Sequence, residues 1–347
     1  MLLKHPVHFV ALKQAIWPEL QGWDGSRLDD DVLTKRSGGI LHSWVLRTYY
    51  QLRLAGADVT LSDQLRPEAI NIVSVRDFGR AQRDLHSFIL VPQGDAHHSR
   101  LANFRILQNA VRPCDANSAV IWHWPQPGII KRDPDRRARV EQLCYKGRVP
   151  NLDEEFRSES FISELADLEM HFEIDAYTGL RGGHHWNDYR HADAVLAVRN
   201  LTLYNARKKP ASKLVNAWIA EVPALLGPEP AYRELGIPGS DYIEVRTPRD
   251  ALEALTALRD NPEFFQSIVS NGRRLRVNYG EQALTDLWIE TLNGPVAERF
   301  LHWHQQHSWM RAMQTTFGMA LEPRAKSEDK KHQQTGARLL DSIKESV

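Results

Sequence analysis

The chain has 347 residues, 44 basic and 44 acidic, with 15 histidines and two cysteines. That length exceeds what a single hydrophobic core organises, so two domains are expected, and the even charge balance removes any global electrostatic case for a nucleic-acid partner. Cys114 and Cys144 lack metal-ligand spacing, which argues against a disulfide framework or a zinc site and fits a reducing, cytoplasmic compartment; with no apolar run of about 18 residues, membrane contact is at most peripheral.

Residues 7–12 are predicted as a first buried strand, and the polar, Gly- and Asp-rich stretch 17–31 as a long loop of the kind that carries function. Ser37-Gly38-Gly39 opens an amphipathic helix through Leu41, Trp44, Val45, Thr48, Tyr49 and Leu52, ending at Gly56. A glycine pair there suits either a tight turn or an anion held at a helix N-terminus. Short apolar runs recur at 58–61, 70–75, 87–91, 105–109 and 119–124, separated by helical or turn segments, the mark of a mainly parallel, doubly wound sheet. Ligands of such sheets bind at the carboxyl ends of strands. Asp95 follows the run 87–91 across Gly94 and is the best-placed carboxylate of this half for a general base, with His97 and His98 beside it and Asp24 and Asp77 as further candidates. An Asp after a glycine is equally a turn residue.

Residues 125–139 carry three prolines and a run of Arg and Lys, the composition of a linker and hinge. The first domain is therefore expected over 1–137 and the second over 138–292, with strands at 140–145, 170–174, 194–198, 224–226 and 242–245 and helices at 159–168, 248–259 and 262–277. Neither half has Gly-x-Gly-x-x-Gly after its first strand, which counts against a nicotinamide-dependent oxidoreductase. Within the second half, Pro210 precedes an apolar pattern at helical spacing (Leu214, Ala217, Trp218), and Pro223 ends that helix before the strand 224–226. Ser212 is placed as its N-cap, so that free backbone N–H groups, the positive helix end and Lys213 converge on a phosphate-sized point. Residues 297–319 are aromatic and His-rich without ligand geometry, and no metal is expected; residues 322–347 are expected to form a polar, flexible tail.

At Asn216-Ala217-Trp218-Ile219-Ala220-Glu221-Val222-Pro223, with Glu234-Leu235 downstream, the chain resembles the donor-binding segment of the GT-B glycosyltransferases. Asn216 stands where many relatives carry glutamate, and Glu221 where they carry glycine. The resemblance implies two facing, Rossmann-like α/β domains, with a crossover helix at 293–321 returning to the first. It implies a nucleotide-diphosphate sugar as donor, a glycan or other hydroxyl compound as acceptor in the cleft between the domains, and no cofactor or nucleic acid. It also implies site residues. Gly38 and Gly39 approach the donor diphosphate. In Tyr145-Lys146-Gly147-Arg148 the basic residues neutralise phosphate, Arg148 foremost for its forked guanidinium. His185-Trp186-Asn187-Asp188-Tyr189 shapes the base pocket, Asp188 serving base, ribose or a helix cap. Lys213 meets phosphate and Asn216 the ribose, and Glu234 takes the family's downstream acidic position. A non-catalytic nucleotide-sugar or glycan-binding protein is the alternative, made credible by the missing glutamate.

Overall fold

A computed structural model describes residues 2–36, 38–79, 82–112, 114–176 and 186–344. The chain forms two compact units, one of Met1–Trp124, Lys208–Pro210 and Glu281–Thr335, the other of Pro125–Arg207, Ala211–Gly280 and Gly336–Val347.

Unit 1 is built on six strands, β1 (Val7–Val10), β2 (Val59–Ser62), β3 (Ile70–Val73), β4 (Phe88–Pro92), β5 (Phe104–Leu107) and β6 (Ser118–Val120). They lie in the order β2-β1-β3-β4-β5-β6, every pair parallel. Buried on both faces, β3, β4 and β5 are mostly apolar, with Asn71 and Arg105 as the buried polar exceptions, which is why they read as nearly continuous runs. The helix expected after Gly38-Gly39 is present as a π-helical turn, Leu41–Leu46, running into Arg47–Leu54. From β3 to β6 the described connections are loops, a departure from strict strand-helix alternation. The apolar cover they lack is supplied from the far end of the chain: Leu284, Trp288, Val296, Phe300 and Trp303 join the same core as Phe88 and Ile89, and Phe88 meets Phe300 and Trp303 edge-on at 5.3 and 5.8 Å.

Unit 2 repeats the scheme with β7 (Gln142–Gly147), β8 (His171–Ala176), β9 (Ala194–Ala197), β10 (Ala224–Leu226) and β11 (Ile243–Glu244), in the order β11-β10-β9-β7-β8 and again all parallel. In each unit the first strand has the second on one side and the third on the other. The crevice between the first and third strands is thus the topological switch point, where open parallel sheets bind ligands.

Two expectations from composition are corrected. The Pro- and Arg-rich stretch 125–139 is no free hinge: it belongs to unit 2, and its arginines serve a buried acid. Asp193, fully buried, accepts from Arg132 and Arg136 at 2.7 Å each and from the backbone N–H groups of Glu141 and Gln142 at 3.0 Å. Through residue 344 the polar tail is likewise built into the fold, because its acids have distant partners. Ser308–Thr335 is one helix. Glu322, 1% exposed, accepts from His97 Nε2 and from the Arg100 backbone N–H, both at 2.6 Å, and the Lys208 ammonium meets Asp329 at 2.8 Å. Beyond it, the Leu339 N–H donates to Leu201 and Arg338 pairs with Asp153 at 2.6 Å within unit 2. The returning segment in unit 1 begins at Glu281, ahead of the expected 293.

Burial alone would raise the pKa of Glu322, but its hydrogen bonds from His97 and the Arg100 N–H outweigh that and hold it below the usual carboxylate value. A lowered folded-state pKa stabilises the fold above the unfolded pKa, and that contribution is lost as pH falls through the folded value. Glu322→Ala should cost about 3 kcal/mol at neutral pH, with the cost shrinking in acid, as read by urea titration at pH 7 and pH 4. A wild-type stability at pH 7 would mean that the C-terminal helix is undocked.

Candidate functional site

The switch point of unit 2 gathers cationic groups. Gly147 ends β7, and the Tyr145 hydroxyl curls back to donate to the Arg148 carbonyl at 2.9 Å. A Cβ on residue 147 would lie 2.8 Å from that hydroxyl and 3.1 Å from Lys213 Nζ, so only glycine admits both. Lys213 enters from the first turn of the helix Ser212–Ala220, its ammonium 5.4 Å from the Tyr145 ring centre and 5.6 Å from that of Trp186. Trp186 is fixed by its indole N–H on the Asp175 carbonyl at 2.8 Å. Lys146, 4% exposed, reaches Asp175 at 3.4 Å and lies over Tyr189. Arg199, just past β9, forms a buried forked pair with Glu229, the residue preceding the helix Pro230–Leu235.

Among the described residues no carboxylate comes within ion-pairing distance of Lys213. Burial, followed by the charge of Arg199, pushes its pKa down to about 7. The helix beneath it adds to the imbalance. Ser212 is not the N-cap: that position falls to Ala211, whose methyl group cannot accept a hydrogen bond, and the helix start has no side-chain cap. Its free N–H groups and dipole therefore favour an anion at the point where Lys213 lies. At the other end of this helix, Glu221 occupies the left-handed region (φ 62°, ψ 43°), the conformation for which relatives carry glycine. Lys131, Arg273 and Arg276 hold its carboxylate at 2.7, 2.7 and 2.9 Å.

Other expected residues lie elsewhere in unit 2. Arg148 is exposed at the strand end, and the strand's cation in the cluster is the buried Lys146. Asp188 is gripped by Arg190 at 2.6 Å, which with its other hydrogen bonds lowers its pKa to about 2. Asn216 is 9% exposed and accepts from the Gln126 backbone N–H at 3.0 Å. Glu234 sits in the last turn of its helix near Tyr279, and the carboxylate that meets the cluster is Glu229, five residues earlier. A Glu-Pro pair directly after an apolar strand was the available signal, since it marks a helix start at a carboxyl edge. Ser37 and His185 lie outside the described residues.

In unit 1, Gly38 and Gly39 have φ of 141° and 75° with open space around them, so backbone conformation and not crowding asks for glycine. Gly94 is left-handed and so close to Ile40 that a Cβ would lie 3.0 Å from its side chain. Asp95 beyond it pairs with Lys209 at 2.7 Å and Arg76 at 3.0 Å; burial works to raise its pKa, but these cations prevail and lower it. His97 is bound to Glu322 and serves the docking of the C-terminal helix. His123 was missed by the sequence reading, which took it as strand interior in Trp122-His123-Trp124. It lies past the end of β6, edge-on to Trp44 at 5.4 Å, with Nδ1 2.6 Å from the Trp124 carbonyl. A carbonyl only accepts, so Nδ1 carries the proton and Nε2 the lone pair. Burial pushes this imidazole down to about 4.

No family model and no curated protein matches the chain. Solved structures do. A sucrose-phosphate synthase from Thermosynechococcus elongatus superposes with a TM-score of 0.54 at 9% identity, over 85% of this chain and all of the other. AviGT4, a glycosyltransferase involved in avilamycin A biosynthesis, gives 0.51 at 13% identity over 85% of this chain and 98% of its own. The likeness establishes the fold, that of the GT-B glycosyltransferases, with its two Rossmann-like domains.

The left-handed cap gives a sharp expectation. Glu221→Gly loses ion pairs but relieves the backbone, whereas Glu221→Ala loses the pairs and keeps the strain, so the Ala variant should be the less stable by about 1 kcal/mol in chemical denaturation. Equal stabilities would show that the cap is not left-handed in solution.

Proposed function

We propose that this chain is a glycosyltransferase that takes a sugar from a nucleotide-diphosphate donor and passes it to a hydroxyl group of a glycan or other acceptor. The observation that carries the reading is Lys213, a partly buried ammonium with no carboxylate at ion-pairing distance among the described residues, at an uncapped helix start, in a fold shared with sugar-transferring enzymes. A diphosphate supplies the missing anion. During transfer the glycosidic bond to the β-phosphate breaks and negative charge grows on the leaving oxygens, where Lys213 and the helix start stabilise it, with Lys146 and Arg199 behind. These cations take the part a divalent metal would otherwise play, so the reaction as proposed uses no metal or other cofactor. The rival, a non-catalytic binder, keeps its support in Asn216, which stands in place of the glutamate and accepts from the Gln126 backbone N–H. Turnover of a nucleotide-sugar separates the two. Among the described residues no helix is long and apolar enough to cross a membrane, and a cytoplasmic location with at most peripheral membrane contact is the companion proposal.

The state of three unit 1 groups bears on stereochemistry. Asp95 is held ionised by two cations, His97 is committed to Glu322, and His123 is neutral with a depressed basicity. Neither Asp95 nor His123 is tuned to take a proton near neutral pH. That favours a retaining reaction, in which the acceptor's proton passes to the departing phosphate oxygen. The first-formed product should keep the donor's anomeric configuration in proton NMR. Inversion would require a protein base and would restore Asp95 or His123 to that role.

Lys213→Ala should weaken binding of a nucleoside diphosphate by about ten- to hundredfold, since a charge-assisted contact contributes about 1.5–3 kcal/mol. A bound anion raises the pKa of Lys213 above about 7, so binding takes up protons and affinity falls as pH rises past that value. Calorimetry in buffers of different ionisation enthalpy reads both effects. Unchanged affinity in the variant, or no proton uptake, removes Lys213 from the site.

A further inference from the structure

Unit 1 has a cavity of about 480 Å³ at its own switch point, lined by residues that follow β1, β2 and β3, among them Leu12, Leu65, Phe78, Asp63, Asp77 and Asp84. Its size falls within the ordinary range for small-ligand sites, and its lining is of two kinds. Val10, Leu12, Leu65, Val73 and Phe78 supply an apolar surface, while three aspartates and Ser74, Gln64 and Gln82 supply hydrogen-bonding groups. None of its twelve lining residues, all described, carries a positive charge. Asp84 is partly balanced by Arg83 at 3.7 Å and accepts from the backbone N–H groups of His86 and Ser87. Asp77 accepts from the Ser74 hydroxyl at 2.5 Å, and Asp63 stands exposed at the rim. The polarity is opposite to that of the unit 2 switch point, where the lining is cationic.

We propose that this cavity holds the acceptor and selects a saccharide without negative charge. The assignment rests on the glycosyl-transfer reading above. A pyranose offers vicinal hydroxyls that donate in pairs to carboxylates and a C–H face that packs on apolar side chains, which is the division found in this lining. A phosphorylated or uronic acceptor would set its anion against Asp63 and Asp77 with no cation among the described lining residues to offset it, and rejection by like charge is a strong source of specificity.

The test uses the full chain without donor. Maltose, cellobiose and lactose are titrated against the matching disaccharides oxidised to uronates at the non-reducing C6, with saturation-transfer NMR as the readout. The neutral set should bind at least about tenfold more tightly than the uronates, a gap of about 1.4 kcal/mol. Asp63→Asn should narrow that gap and Asp63→Lys should reverse it; residue 63 is exposed, so neither substitution burdens the core. Equal affinity for the two sets, failure of either set to respond to the charge reversal, or binding of neither set overturns the proposal. Nucleoside diphosphate binding is read separately at Lys213: if it is present while saccharides are ignored, only the acceptor assignment falls, and if saccharides bind while nucleotides do not, it is the transferase reading that falls.

Discussion

A partly buried ammonium with no carboxylate at ion-pairing distance among the described residues is costly to keep, and the switch point of unit 2 holds one. Lys213 is held between two aromatic faces, over a residue that must be glycine, and at the start of a helix that leaves its own N–H groups uncapped. Each of these is a local concession that a purely structural position would not make. An alanine at 147 would crowd the lysine, and a serine at 211 would cap the helix. The nearby charges do not relieve the imbalance: Arg199 and Glu229 satisfy one another, and Lys146 and Asp175 are a second pair. Glu229 and Asp175 offset the charge of Lys213 only in part, and burial with the charges of Arg199 and Lys146 still lowers its pKa.

The two units share a strand order and differ in what they place at the point where that order turns. Both set the first strand between the second and the third. In one the residues beyond those strands are cationic, in the other acidic and apolar. A parallel sheet supplies only the location of a crevice; its chemistry comes from the few residues after each strand. The same scaffold thereby carries a cationic crevice in one copy and an acidic and apolar one in the other.

Local periodicity made the scaffold legible. The eleven strands among the described residues coincide with mainly apolar runs visible in the sequence, displaced by one or a few residues, most plainly where burial on both faces leaves little choice of side chain, as in β3, β4 and β9. The helix after Pro210 and its stop before Pro223 were equally plain, since proline acts on its immediate neighbours. What escaped was anything settled by residues far apart. Nothing near Glu322 announces that its partners are His97 and Arg100, so a charged stretch looked like a solvated tail and a clamp residue looked catalytic. The arginines after Pro125 looked like linker charges until Asp193 was seen beneath them. Within the site the misses were small in sequence and large in role: Lys146 for Arg148, Glu229 for Glu234, Ala211 for Ser212 as cap. At a strand end, the turn that follows decides which side chain swings inward, and alternation along the strand does not report it.

The chain passes between the units five times, at 124/125, 207/208, 210/211, 280/281 and 335/336, so neither unit is a continuous piece of sequence. For a chain emerging from a ribosome this sets a schedule. The sheet of unit 1 is synthesised first, yet the helices that cover Phe88 and the carboxylate that meets His97 arrive about 200 residues later, roughly ten to fifty seconds at usual elongation speeds. Through that interval β4 waits with its aromatic face uncovered while residues 125–207 and 211–280 of unit 2 are made. The nascent protein thus has its most aggregation-prone surface exposed longest, which makes it a natural client for chaperones that hold apolar segments during translation.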